Sequence, residues 1–85
     1  MLLSIFAVRD RAVDTYGRPF YLASKGQALR SFQDEVNRSD KDNMMFYHPD
    51  DFELFYIGQF DDVTAAFDLL KHPESLGSAK QFKLA

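Results

Sequence analysis

His48 and His72 are the only side chains of this 85-residue chain whose unperturbed pKa lies near neutrality, and each stands directly before a proline in a polar turn. His48 is followed by Asp50 and Asp51, a set that could touch a divalent cation. Zinc sites need three or four convergent ligands, however, and the carboxylates of this stretch read more simply as solvated turn residues. Ser4, Ser24, Ser31 and Ser39 have no base at a recognisable spacing, and Gly17, Gly26, Gly58 and Gly77 are too scattered to cradle a phosphate. There is no cysteine, which removes thiolate ligands, cysteine nucleophiles and disulfides and fits a reducing, intracellular setting. These residues predict a protein with no catalytic residues, no metal and no cofactor.

Binding chemistry has more to work with. Arg9, Arg11, Arg18, Lys25 and Arg30 gather in the first third of the chain, interleaved with Tyr16, Phe20 and Tyr21. Single-stranded nucleic acids are commonly held by such mixtures, with basic groups on phosphates and aromatic rings under bases. Arg9, Arg11, Tyr16, Arg18, Tyr21, Lys25 and Arg30 are therefore the candidate nucleic-acid-binding residues. The competing interpretation is that the arginines are ordinary surface charges and the rings fill a core. The segment ELFYIGQF lacks the Lys/Arg-Gly-aromatic signature of the sheet-binding RNA modules.

The net charge of −3 argues against a protein that coats nucleic acid by charge alone. It conceals a segregation: residues 1–38 carry a net +2, residues 39–70 a net −7 and residues 71–85 a net +2. That leaves room for a local basic patch, or for positive-to-negative contact between subunits.

The elements that must position these groups are legible from periodicity. In Ser24–Arg38, Ala28, Leu29, Phe32 and Val36 recur at spacings of three and four, the mark of an amphipathic helix. Ser24 is a good N-cap, and Gln27 three residues on completes a capping-box pattern. Leu2–Val8 and Phe52–Phe60 read as strands, and both are apolar on both faces. On the second, strict alternation groups Phe52, Leu54, Tyr56, Gly58 and Phe60 on one side. Phe20–Ala23 resumes extended structure and could pair with the first strand as a hairpin. Met44–Tyr47 is a short apolar run cut off by the turn His48–Asp51. Asp61–Leu70 fits a capped helix or a returning strand about equally. Residues 71–85 read as a surface tail, with a short helical turn around Leu76–Phe82. The apolar opening is too short, and has no basic stretch ahead of it, to be a signal peptide or a membrane span.

Eighty-five residues make one domain, which buries only about three-fifths of its unfolded surface. The expected fold is α+β: a small, mainly antiparallel sheet of about four strands with one main α-helix packed on one face. One helix cannot cover both faces of a sheet whose strands are apolar on both sides. With nine Phe and four Tyr in the chain, the uncovered face would be aromatic. It calls for a second copy (a dimer or higher homo-oligomer), a partner protein, stacked bases, or the tail folded back over it.

Three stretches, LLSIFAVRDRAVDTYGRPF, KGQALRSFQDEVNR and MMFYHPDDFELFYIGQFDD, together with the ending PESLGSAKQF, resemble the small nonstructural protein of gokushovirus-type microviruses. These are tiny single-stranded DNA phages of bacteria. The resemblance covers nearly the whole chain, and its motifs are patterns of ordinary residues, not catalytic signatures. It implies a phage protein in the host cytoplasm and not in the virion, linked by analogy to genome replication and packaging. Relatives carry turn residues such as Asn or Gly after FDD, where Val63-Thr64-Ala65-Ala66 stands here; a hairpin remains the preferred reading. The function expected is single-stranded DNA binding in replication or packaging. The alternative is a non-enzymatic homo-oligomeric adaptor that docks on a phage or host replication protein or on a procapsid protein.

Overall fold

The structure, a computed structural model, describes residues 1–84. Its elements in chain order are β1 (Leu2–Asp10), β2 (Thr15–Tyr16), β3 (Phe20–Leu22), α1 (Lys25–Val36), α2 (Met44–Tyr47), β4 (Phe52–Asp61), β5 (Ala66–Ser78) and α3 (Ala79–Phe82). A 3-10 turn at Pro49–Asp51 leads into β4. All pairing is antiparallel. β4 lies along one edge of β1 and carries β5 on its far side, while the short strands β2 and β3 share the other edge of β1. The α+β fold expected from the sequence is the one observed, with Asp61–Leu70 forming the turn and returning strand of a hairpin.

α1 forms where the periodicity places it. The Gln27 N–H donates to Ser24 Oγ (3.2 Å), and the Gln27 side chain accepts from the Ala23 N–H, one residue before the reciprocal partner of a full capping box. Ala28, Phe32 and Val36 are buried, and Leu29 lies at the margin. They pack on Phe6 and Leu54, both wholly inaccessible, with Val8, Phe20, Leu22, Phe52 and Tyr56 around them. All the strand residues of this core lie on one face of the sheet, because cross-strand partners such as Phe6, Phe20 and Tyr56 share a side.

Residues 71–78, expected as a surface tail, instead carry β5 on along β4, with four residues, Leu70–Pro73, looping out opposite Ile57. Residues 79–82 then form α3, capped by a complete Ser78–Gln81 capping box. Ala79 is buried in the main core, and Phe82 meets Phe32 edge-on with ring centroids 5.7 Å apart. Asn37 ties this end down: its Nδ2 donates to the Phe82 carbonyl (2.9 Å), and its Oδ1 accepts from the Leu84 N–H (2.8 Å). The chain end therefore covers the α1 side of the sheet. It leaves the other side open.

A helix of 12 residues is about 18 Å long, and the molecule extends 42 Å along its longest axis. α1 thus roofs one end of the sheet, while the tip of the β4–β5 hairpin runs out beyond it.

Candidate functional site

The face of the sheet turned away from α1 is built from Leu3, Ile5, Ala7 and Arg9 of β1 and from the residues paired with them. Tyr16 stands beside Arg9 and Tyr21 beside Ile5 on one flank. Phe55 stands beside Ala7 and Phe60 beside Leu3 on the other. β1 runs between these flanks, so a contact from tyrosine to phenylalanine must cross over it. Two do. Tyr16 and Phe55 meet edge-on at 5.4 Å and 74°, and Tyr21 and Phe60 at 5.9 Å and 75°. Ile5 and Ala7 lie nearly inaccessible on this side although they are not part of the α1 core, a second small core roofed by the rings. Each edge-on pair adds roughly 0.5–1.5 kcal/mol beyond the area it buries. Phe67 of β5 extends the row, 4.8 Å from Phe60.

The roof is only partly closed. Tyr16 remains 46% exposed, Tyr21 44% and Phe67 57%, with Leu69 beside them also at 57%. This partly exposed aromatic face is the candidate binding surface of the chain.

A β-bulge makes this arrangement. Phe6 pairs with Tyr56 but Ile5 pairs with Gly58, so Ile57 is the extra residue in β4. Beyond it the alternation is inverted. Gly58 and Phe60, which strict alternation groups with Phe52, Leu54 and Tyr56, instead project from the opposite face, beside Phe55. Gly58 itself has φ 157° and sits against β5, where an added Cβ would lie 2.4 Å from the Asp68 carbonyl oxygen. The approach of β5 to β4 is too close for any side chain there.

The seven residues singled out from sequence divide. Arg9, Tyr16 and Tyr21 share the aromatic face. Arg11 and Arg18 are exposed in the loops flanking β2, next to the Arg9–Tyr16 end, and the Arg11 N–H donates to the Asp51 carbonyl (2.7 Å). Lys25 is elsewhere: its Nζ lies 3.0 Å from Glu74 and 4.4 Å from the centroid of Tyr56, a residue of the α1 side. Arg30 is on the outer face of α1 in a shallow groove with Asp34, Glu35 and Arg38, where charges of both signs mix. Acidic residues share this region: Glu53 stands opposite Arg9 in the β1–β4 register, and Arg9 forms an ion pair with Asp14. Phe55, Phe60 and Phe67 belong to the face and were not singled out. The isolated Gly58 inside a strand pattern was the signal that could have found Phe60.

Among the described residues there is no group of three His, Cys, Asp or Glu placed to hold a metal ion, and no helix long and apolar enough to cross a membrane. Asp61 stands at the start of the hairpin tip. Its carboxylate accepts from the Val63 N–H (2.9 Å), which holds it below the ordinary aspartate value.

A family profile described as phage ORF5 protein matches residues 3–82 of the chain. Protein ORF5 of Chlamydia phage 1 is 36% identical over 69 residues, which cover 79% of this chain and 72% of that protein. No solved structure matches.

Proposed function

The chain belongs to the phage ORF5 protein family, and from that premise we propose that it is a non-catalytic accessory protein that holds single-stranded DNA on its aromatic sheet face. The observation that supports this reading is the convergence of Tyr16 and Tyr21, each close to half exposed, with Arg9 on one face and with Arg11 and Arg18 in the adjoining loops. Base–ring stacking is tolerant of sequence, and three arginines at one end give the phosphates a place to enter. Arg9 is compensated by Asp14, so affinity rests more on stacking than on charge. Such a protein would act in the host cytoplasm, outside the virion, during single-strand synthesis or packaging.

The test is a titration of the purified protein with single- and double-stranded DNA at two salt concentrations. Single strands should bind, and duplex, whose bases are already stacked, should bind far more weakly. With at most three arginines on phosphates, the single-strand salt slope should be no steeper than about −2. Absence of single-strand binding at low salt removes this reading.

A second reading, a homo-oligomeric adaptor docking on a replication or procapsid protein, is favoured by a different feature. Phe67 and Leu69 of the edge strand β5, both more than half exposed, lie beyond the tyrosines and away from the arginine end of the face.

A further inference from the structure

The aromatic face carries one device twice, and this repetition fixes how a strand would sit on it. Tyr16 with Phe55 and Tyr21 with Phe60 have almost the same separation and the same interplanar angle. Each pair is five residues from its counterpart in sequence, an odd step that would put the two on opposite faces of regular strands. Both strands are interrupted to prevent that, β4 by the bulge at Ile57 and the β2–β3 edge by the irregular segment Gly17–Pro19. The tyrosines therefore flank Arg9 and Ile5 of β1, four residues apart. Four residues of strand span about 13 Å. Between them lies Ala7, 1% exposed beneath the Tyr16–Phe55 contact, so β1 itself offers no further side chain to a base between the two tyrosines.

We propose that the face is a two-position stacking site, in which Tyr16 and Tyr21 take bases n and n+2 of an unpaired strand lying along β1. The base between them has no tyrosine of its own to stack on. This rests on the single-strand reading above. A strand opened so that its bases leave one another's stack rises roughly twice the 3.4 Å per nucleotide of a duplex strand, about 7 Å, and two such steps span the tyrosine separation. A fully stacked strand would place about four bases over the same distance and would use only one ring at a time. Neither tyrosine hydroxyl is engaged by another side chain in the described structure, so phenylalanine should serve equally at both positions.

The experiment uses three thymidine hexanucleotides at low salt: one complete, one with abasic sites at positions 2, 4 and 6, and one with abasic sites at positions 3 and 4. The second retains three bases, all two apart; the third retains four bases, none two apart. The alternating strand should bind within about threefold of the complete one. The four-base strand should bind roughly 5- to 100-fold more weakly, the loss of one stacked base. Tyr16→Ala and Tyr21→Ala should each give a loss of that size and should abolish the preference for the alternating strand. Tyr16→Phe and Tyr21→Phe should leave both intact, with circular dichroism confirming the fold of every variant. If the complete strand binds but the four-base strand is bound as well as or better than the alternating one, the two-position site is wrong while single-strand binding stands. If the complete strand does not bind, both fall. A uridine ribohexamer bound equally well would widen the site to unpaired strands of either sugar.

Discussion

Phe55 and Phe60, five residues apart on one strand, project from the same face of the sheet, each with its ring edge-on to a tyrosine across β1. The extra residue Ile57 makes this geometry, and the absence of a side chain at Gly58 permits it. Gly58→Ala would drive a Cβ to 2.4 Å from the Asp68 carbonyl oxygen, so β4 and β5 must part or the bulge must move. We expect a loss of about 2 kcal/mol or more in denaturant unfolding. Tyrosine near-ultraviolet dichroism should change as Phe60 leaves Tyr21. An unperturbed G58A protein would mean that β5 does not approach β4 so closely there.

Much of this was legible in the sequence, and what was not has a specific cause. α1 and its cap at Ser24 follow from spacing and local hydrogen bonding, which need only neighbours in sequence. The two long strands follow from their apolar character. Which side each residue faces beyond Ile57 does not, because one inserted residue inverts the alternation for the remainder of β4. Lys25 lies close in sequence to Tyr21 yet reports to the opposite side of the sheet, through Glu74 and Tyr56, contacts that only the pairing of β4 with β1 and β5 brings about. Residues 71–78 lack strand alternation because they bulge around Pro73, so their polarity suggested a tail.

Phe32 is the centre of the α1 core, 4% exposed and edge-on to Phe82. Phe32→Ala should cost roughly 3–5 kcal/mol, read from the shift in urea midpoint at unchanged slope. Because Phe82 belongs to α3, the same variant should expose the C-terminal segment to proteolysis. A loss under about 1 kcal/mol would show that α1 is not the element holding the sheet together.

Arg11 and Arg18 are exposed and lie in loops, so their joint replacement by alanine should leave the melting temperature within experimental scatter. If both touch phosphates, the salt slope for single-stranded DNA should become shallower by about 1.4, two contacts at roughly 0.7 each. Lys25→Ala and Arg30→Ala, on other surfaces, should leave the slope unchanged. A slope indifferent to Arg11 and Arg18 would place the phosphates elsewhere.

Asp61 opens the hairpin turn by accepting from the Val63 N–H, and its pKa is lowered below 3.8 chiefly for that reason. A carboxylate whose folded pKa lies below its unfolded one adds stability above the unfolded value, and that stability is lost as pH falls through the folded value. The turn should therefore loosen as pH drops below about 4, seen as a falling protection factor of the Val63 amide relative to its intrinsic exchange rate. Asp61→Asn should remove the part of that pH dependence confined to the tip. A Val63 protection factor that is flat across this range in the wild-type chain would contradict the assignment.

The tip bears on self-association, because its apolar side chains extend beyond the reach of α1. Phe67 and Leu69 are each 57% exposed on the edge strand β5, whose outer edge has no pairing partner among the described residues. Edge strands of soluble proteins are usually blunted by lysine, proline or a bulge. β5 has all three at Leu70–Pro73, with Lys71 and Pro73 inside the bulge, but nothing comparable over Ala66–Leu69. The unblunted part is the apolar part. Two copies meeting through it would cover Phe67 and Leu69 and leave Tyr16 and Tyr21, on the far side of β1, open to bases. Light scattering should then report at least a dimer at micromolar concentration, and Phe67→Ser with Leu69→Ser should return it to monomer without weakening single-strand binding. A monomeric wild-type protein would leave the tip to a different partner. A dimer that survives the double substitution would place the contact on another surface.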